Sequence, residues 1–250
     1  MKTAAVIPVF NHGETVGAVV ATLRGYGLPV ILVNDGSHAD CARILQTLAD
    51  TATTKTSLPP VHLLVHPENR GKGAAVMTGL RYAHEQGFSH TLQVDADGQH
   101  DLAAVPAFLA ESGRQPEAVI NGCPRYDASV PKGRLYARYL THVWVWINTL
   151  SLRIPDSMCG FRVYPLAAVM PLLPVLAHVN RMDFDMEILV RLDWAAVPLV
   201  HLPVAVRYPA DGISHFQPLR DNLRIAAMHT RLFFGMLRRF PKLLLRLLTE

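Results

Sequence analysis

The sequence predicts an α/β protein, a doubly wound and mostly parallel sheet flanked by helices, and three observations predict it. Four short apolar runs rich in β-branched residues, AAVIPVF (4–10), PVILVND (29–35), VHLLVH (61–66) and HTLQVDAD (90–97), pass through the first half of the chain, as expected of strands buried on both faces. Segments of helical period separate them: ETVGAVVATLRGYG, ADCARILQTLAD and GKGAAVMTGLRYAHEQG, the first and third reaching glycines where a helix stops. Finally, Asn11, Asp35, Asp95 and Asp97 all follow the carboxyl ends of these runs, which is where ligands collect in a parallel sheet built from strand–helix alternation.

The second half is less regular. EAVINGCPRY reads as a further strand, RLYARYLTHVWVWINTLSL as a long helix and MDFDMEILVRLDW as a shorter one. AAVPLVHLPVAVRY is strand material interrupted by proline, which suits a sheet edge. TATTKTSLPP (51–60) reads as a polar loop. These elements assign residues 1–217 to one domain and 218–250 to a C-terminal tail. In the tail, Arg231, Arg238, Lys242 and Arg246 fall near one helical face, with Leu232, Phe233, Met236, Leu237, Phe240, Leu244 and Leu247 around the other. Pro241 is expected to kink or restart this helix. Two readings stand side by side: a basic amphipathic helix at the surface of an anionic membrane, or a terminal helix packed on its own domain.

Bulk properties set limits on function. A chain of 250 residues accommodates one full core and is short for two enzyme domains. Half of its residues are hydrophobic and mean hydropathy is +0.19, yet no uninterrupted apolar run reaches the roughly 18 residues of a membrane span. The N-terminal run carries a lone Lys2 and is broken by Pro8, unlike a secretory signal; a cytoplasmic protein, peripheral at most on the inner face of the membrane, is expected. Cys41, Cys123 and Cys159 are odd in number and far apart, which argues against a disulfide framework or a CxxC metal site and for buried thiols. A net charge of +4 is compatible with nucleic acid, an anionic membrane or phosphorylated substrates.

The polar residues of the rim carry the chemistry. Asp95 and Asp97, one residue apart, can chelate a hard divalent cation, Mg²⁺ or Mn²⁺, alongside phosphate oxygens of a substrate, and Gln99 can add an amide oxygen. A solvated acidic turn is the bland alternative, and it suits Asp101, which precedes LAAVPAFLA as a helix cap. A glycosidase would need its acid and base roughly 5–10 Å apart across a sugar. In NRGKGAAVMTGL (69–80), Asn69, Gly71, Lys72 and Gly73 open a helix whose free N–H groups and dipole favour an anionic ligand, although neither the Walker pattern nor the dinucleotide fingerprint is present. Asp35, in ILVNDGS, can accept hydrogen bonds from a ribose or a base, or shape an Asx turn.

Taken in order, VIPVFNHGETV, ILVNDGS, NRGKGAAVMTGL, VDADGQHD and DSMCGFRVYP resemble the family 2 inverting glycosyltransferases of GT-A fold, and more narrowly their dolichyl-phosphate mannose or glucose synthase-like branch. The resemblance covers most of the first 165 residues. It implies a GT-A fold and transfer of a hexosyl group from a UDP- or GDP-linked sugar by single displacement, with Mg²⁺ or Mn²⁺ as cofactor and a lipid or polyprenyl phosphate as acceptor; no nucleic-acid partner is expected. By the same resemblance Pro8, Phe10, Asn11 and Glu14 form the first nucleotide-contacting turn, Asp35 binds the nucleoside, and Asn69, Gly71, Lys72 and Gly73 lie by the base and ribose. Asp95, Asp97 and Gln99 match the DXD-type motif that holds a cation on the donor diphosphate.

On the acceptor side, Arg125 and Arg138 resemble phosphate-binding arginines, with Arg134 as a substitute for Arg138 because the local spacing departs from the pattern. Asp156 and Arg162 lie in the segment beside the acceptor, and Arg162 is a further candidate for its phosphate. Asp183, Asp185 and Glu187 lie in the helix that follows; Asp156, Asp183 and Asp185 are the contenders for a base if the acceptor is an alcohol, whereas Glu187 and Asp183 have the structural alternative of pairing with Arg191 or Arg181. His215 matches a late histidine used as an extra metal ligand. No transmembrane anchor is expected from the chain's apolar runs, a departure from many polyprenyl-phosphate enzymes. Two alternatives remain: a sugar-phosphate nucleotidyltransferase, whose glycine-rich first turn is reduced here to Gly13, and a nucleotide-sugar-binding partner without catalysis.

Overall fold

The computed structural model describes residues 1–54, 57–126, 130, 132–207 and 218–249. Its first half follows the alternation read from the sequence: β1 (Thr3–Val9), α1 (Gly13–Gly25), β2 (Val30–Asp35), α2 (Ala39–Thr54), β3 (Val61–His66), α3 (Lys72–Glu85) and β4 (His90–Gln93). Then come α4 (Val105–Arg114), β5 (Val119–Tyr126), α5 (Lys132–Thr149), β6 (Arg162–Pro165), the one-turn helices α6 (Leu166–Val169) and α7 (Leu173–Leu176), α8 (Phe184–Trp194), β7 (Leu199–Val206) and α9 (Pro218–Thr249).

The strands form one sheet of order β3-β2-β1-β4-β6-β5-β7. β1 to β4 are mutually parallel, and β5 and β7 are parallel to each other. Only β6 runs against its neighbours β4 and β5, so the predicted mostly parallel sheet is observed. Alternation along β1 shows why both faces are covered: Ala4 and Val6 face the layer of α3, α8 and α9, whereas Ala5, Ile7 and Val9 face the layer of α1, α2 and α4. β7 lies at an edge, where Pro203 costs the sheet no interior hydrogen bond.

Three local outcomes differ from expectation. α2 continues to Thr54 into the segment read as a loop, because Cys41, Leu45, Ala49 and Ala52 recur at helical spacing and are all buried; packing outweighs the weak helix propensity of threonine. α9 runs through Pro241 as a single helix. The carbonyl freed by the proline is that of Leu237, a residue on the exposed side, where water can satisfy it. Cys123 is half-buried, while Cys41 and Cys159 are buried as expected, and all three are free thiols. Among the described residues no helix is long and apolar enough to cross a membrane.

Candidate active site

The carboxyl ends of β1 and β2 are stitched together by side chains. Asn11 takes a left-handed conformation (φ 59°) that asparagine tolerates; its amide oxygen accepts from His38 N–H (2.9 Å), and its own N–H donates to Ser37 Oγ (3.0 Å). Gly36 follows with φ 69°, and a Cβ there would stand 2.4 Å from the backbone of Glu68 and Asn69. Only glycine lets these two loops approach so closely. Asp35 then holds the incoming glycine–lysine loop: its Oδ1 accepts from Arg70 N–H (2.9 Å), its Oδ2 from Gly71 N–H (2.7 Å), and His66 Nδ1 lies 2.8 Å from Oδ1. Gly71 (φ 102°) and Gly73 fit against segment 179–184, where a Cβ would meet Asn180 O at 2.4 Å or Phe184 Cβ at 2.6 Å. Arg181 completes the clamp by donating to Asn69 Oδ1 (2.8 Å).

This clamp delivers Lys72 to the carboxylates. Its Nζ lies 2.8 Å from Asp95 Oδ1 and 2.8 Å from Asp185 Oδ2. Burial opposes the ammonium charge, but Asp185 and Asp95 outweigh it and hold the Lys72 pKa above the ordinary lysine value. Asp95 is likewise drawn below the ordinary range, its burial overcome by Lys72 and His100. Gly160 forms the floor, since a Cβ there would lie 2.6 Å from Asp95 Oδ2 and 2.7 Å from Lys72 Nζ. Asp185 Oδ1 accepts in addition from Gln93 Nε2 (2.9 Å).

Asp97 is in a different condition. Its pKa is raised, first by burial and then by the charge of Asp95, while a hydrogen bond from Gln99 N–H to Oδ1 (3.0 Å) offsets this only in part. The turn is fastened to β7 by Asp101 N–H donating to Ala205 O (3.0 Å) and Arg207 N–H donating to Gln99 O (3.0 Å), and to α1 by Thr15 Oγ1 donating to Ala96 O (2.6 Å). Asp101 Oδ1 accepts from Ala103 N–H (3.0 Å), the cap expected from the sequence. A divalent cation fits here because Asp97, unlike Asp35, Asp95 and Asp185, makes no ion pair among the described residues, and burial and the charge of Asp95 oppose its ionisation more than His100 and Lys72 favour it. No group of three or more His, Cys, Asp or Glu surrounds it among the described residues, so a cation on Asp97, with Gln99 half-buried at the same turn, would complete its shell from a phosphate-bearing ligand, as Mg²⁺ and Mn²⁺ do. His215 lies outside the described residues.

In the segment that leads to Gly160, Asp156 is enclosed by donors. Arg138 approaches bidentately through Nε (2.5 Å) and Nη2 (2.6 Å), Met158 and Cys159 donate their N–H groups to Oδ1 (3.0 and 2.9 Å), and His142 Nε2 is 3.4 Å from Oδ2. Burial opposes ionisation of Asp156, but His142 and Arg138 prevail and hold the carboxyl well below the usual range. An ionised carboxylate so occupied positions Arg138; it is not poised to take a proton. Arg125 is exposed at the end of β5, and the Arg134 side chain lies outside the described residues.

Arg162 departs most from expectation. It is 0% exposed and donates to Asn121 Oδ1 (2.6 Å), Ser157 O (2.7 Å), Tyr164 Oη (3.2 Å) and Asp185 O (2.7 Å), which leaves no face for an acceptor phosphate. It braces the floor beneath Asp185. Pro8 is buried within β1, Phe10 is half-buried at its exit, and Glu14 is exposed on the first turn of α1. Glu187 is buried with Arg191 and Arg231, both at 2.6 Å, the structural alternative foreseen for it. Asp183 accepts from Arg181 N–H (3.1 Å), and burial raises its pKa.

The sequence reading did not single out His100, His66, His142 or Gln93 as site residues. His100 lies against the ring of Phe161 (5.5 Å), with Nε2 3.6 Å from Cys159 Sγ; burial lowers its pKa, opposed by Asp95 and Asp97. His142 was traceable, being four residues after Arg138 and so on the same face of α5.

Residues 4–169 match the family model "Glycosyl transferase family 2". The chain is 25% identical over 219 residues to a dolichyl-phosphate β-glucosyltransferase of Dictyostelium discoideum, covering 84% of this chain and 63% of that protein. It is 27% identical over 175 residues to an undecaprenyl-phosphate mannosyltransferase of Micrococcus luteus, covering 66% of each. Among solved structures, glucosyl-3-phosphoglycerate synthase from Mycobacterium tuberculosis, in complex with Mn²⁺ and UDP-glucose, superposes with a TM-score of 0.62 at 16% identity over 95% of this chain and 78% of that one. This likeness, with the sheet described above, gives the chain the GT-A fold.

Proposed function

We propose, because the chain belongs to glycosyl transferase family 2, that it moves a hexosyl group with inversion from a UDP- or GDP-linked sugar to a lipid or polyprenyl phosphate. The observation that carries this reading is the convergence at one rim of Asp97, the Lys72 ion pairs with Asp95 and Asp185, and the Asp35-clamped loop. Such a rim matches a nucleotide diphosphate bridged by a cation. Two relatives, a dolichyl-phosphate β-glucosyltransferase and an undecaprenyl-phosphate mannosyltransferase, support the acceptor class.

Asp97, with Gln99 beside it, would hold Mg²⁺ or Mn²⁺, which when bound supplies Lewis-acid stabilisation of the departing diphosphate. Lys72 ion-pairs with Asp95 and Asp185 and holds both in place, so the site is organised before the donor arrives. Arg138, oriented by Asp156, presents a planar guanidinium suited to a phosphate. A phosphate acceptor is already ionised, so inversion needs orientation more than a base. That agrees with carboxylates committed to partners: Asp156 to Arg138, and Asp185 to Lys72 and Gln93.

Calorimetry with a panel of nucleotide sugars, with and without Mn²⁺, tests the donor site. Wild type is expected to bind one donor at least about tenfold more tightly with the metal, and Asp97→Asn to lose that gain. Metal-independent binding, equal in the two proteins, would overturn the reading. Transfer to a short polyprenyl phosphate, measured against the matching alcohol, tests the acceptor.

A further inference from the structure

α9 carries two apolar stripes. Met228, Leu232, Met236 and Leu243 recur at intervals of 4, 4 and 7 and are buried in the core layer with α8. Leu223, Phe234, Leu237, Leu244 and Leu248 recur at intervals of 11, 3, 7 and 4 and are exposed, Phe234 by 59% and Leu248 by 77%. Between the two stripes runs a line of cations, Arg220, Arg224, Arg231, Arg238 and Lys242, at intervals of 4, 7, 7 and 4. A helix that only packs on its domain needs the first stripe and has no use for the second. Packing on the domain therefore accounts for the first stripe and leaves the second without a partner among the described residues.

Beside the cationic line lies a cavity of about 500 Å³ lined by Arg191, Arg231, Arg238 and Arg239, with Trp194 and Phe234 in its wall. Glu187 pairs with both Arg191 and Arg231 from beneath, one negative charge against two positive ones. Arg239 stacks on Trp194 (4.6 Å to the ring centre) and donates to Gly235 O (3.0 Å). Among the described residues no carboxylate pairs with Arg238 or Arg239, and Asp193 nearby is already taken by Arg153 and Arg246. The cavity is distinct from the candidate active site: Trp194 stands about 14 Å along α8 from Asp185.

We propose that this pocket binds the phosphate of an anionic membrane phospholipid while the exposed leucine stripe of α9 lies among the acyl chains of the same leaflet. Forked guanidiniums suit phosphate oxygens, and an uncovered apolar stripe bordered by arginines matches the boundary between headgroups and chains. A water-soluble phosphate ester would use the pocket and leave the stripe without a partner. The site is independent of the acceptor reading, since it places the enzyme on a membrane whatever receives the sugar.

Flotation of the full chain with vesicles of phosphatidylcholine, alone or with phosphatidylglycerol added, tests this. Binding is expected with phosphatidylglycerol, and the exposed pair Arg238→Gln with Arg239→Gln is expected to weaken it about thirtyfold, from roughly a factor of five per cation at an anionic surface. Leu237→Gln with Leu244→Gln is expected to weaken it as well, without loss of helicity by circular dichroism. Transfer to a water-soluble acceptor stays unchanged in the arginine variant, so failure of this site and failure of the transferase reading are separately visible. Three outcomes would overturn the proposal: no binding or equal binding to the two vesicle types, binding indifferent to the arginine pair, or displacement of the protein from vesicles by glycerol 3-phosphate, which would make the pocket a site for free phosphate esters.

Discussion

The two walls of the candidate site, donor and acceptor in the proposed function, handle buried charge in opposite ways. At the strand exits of β1, β2 and β4, one cation, Lys72, serves two carboxylates, and Asp97 is left with a raised pKa beside a charged neighbour. At α5, one carboxylate, Asp156, is surrounded by Arg138, His142 and two backbone N–H groups, and its pKa is depressed. The first wall is short of positive charge, the second is not. The difference teaches that uncompensated acidity lies at Asp97, where the proposed cation would sit, while Asp156 is a holder of Arg138.

Lys72→Met breaks the comparison most forcefully, because it strips the donor wall of its cation. Asp95 and Asp185 would be left facing each other with their ion pairs gone, and Arg162 reaches Asp185 Oδ1 only at 3.9 Å. Removing one partner from a buried ion pair costs about 3–5 kcal/mol, a fall in Tm of roughly 10 °C for a chain of this size. A melting curve superimposable on wild type would show that the donor wall does not depend on this ion pairing.

Asp156→Asn is the next largest change, and it tests the acceptor wall through pH. A carboxyl with a depressed folded pKa contributes stability that is complete above its unfolded value, about 4, and is lost as pH falls towards the folded value. Wild type should therefore lose stability on acidification below about pH 4 through this group, and the variant should not. At neutral pH the variant is expected to be less stable by about 2 kcal/mol, because Arg138 keeps an acceptor oxygen and loses its counter-charge. An unchanged acid limb in the variant would mean that Asp156 is not held ionised by Arg138.

These two walls were unequally legible in sequence. The placement of the donor wall was legible, because Asp35, Asp95 and Asp97 stand at or just after the ends of strands whose apolar runs are unmistakable and Lys72 opens the helix that follows the third strand. What escaped was that Asp35 is satisfied by the backbone of Arg70 and Gly71, since a loop folding back on a carboxylate leaves no periodic trace. The acceptor wall was harder. β6 is four residues long and lies inside a segment that reads as a motif, so its strand character was hidden and Arg162 was taken for a ligand. Its burial follows from pairing with β4 and β5, a long-range fact. The tail presented two stripes with one composition, and only the position of α8 separates the buried stripe from the exposed one.

Asp97→Asn has the smallest effect on stability and the opposite sign, which makes it the sharpest test of the contrast. An acid whose folded pKa is raised holds its proton more tightly in the folded state, so its contribution is present below the unfolded pKa and is lost as pH rises through the folded one. At neutral pH, without metal, Asp97 is a net cost, caused by burial and by Asp95. The neutral asparagine removes that cost, so the metal-free variant is expected to melt higher than wild type by about 2 °C, where Asp156→Asn melts lower. Adding Mn²⁺ with the donor should then reverse the order, because only wild type gains the linked stabilisation of a tight ligand. A metal-free variant that melts lower than wild type would mean that Asp97 is already neutralised by the chain, and the case for a cation at that turn would fail with it.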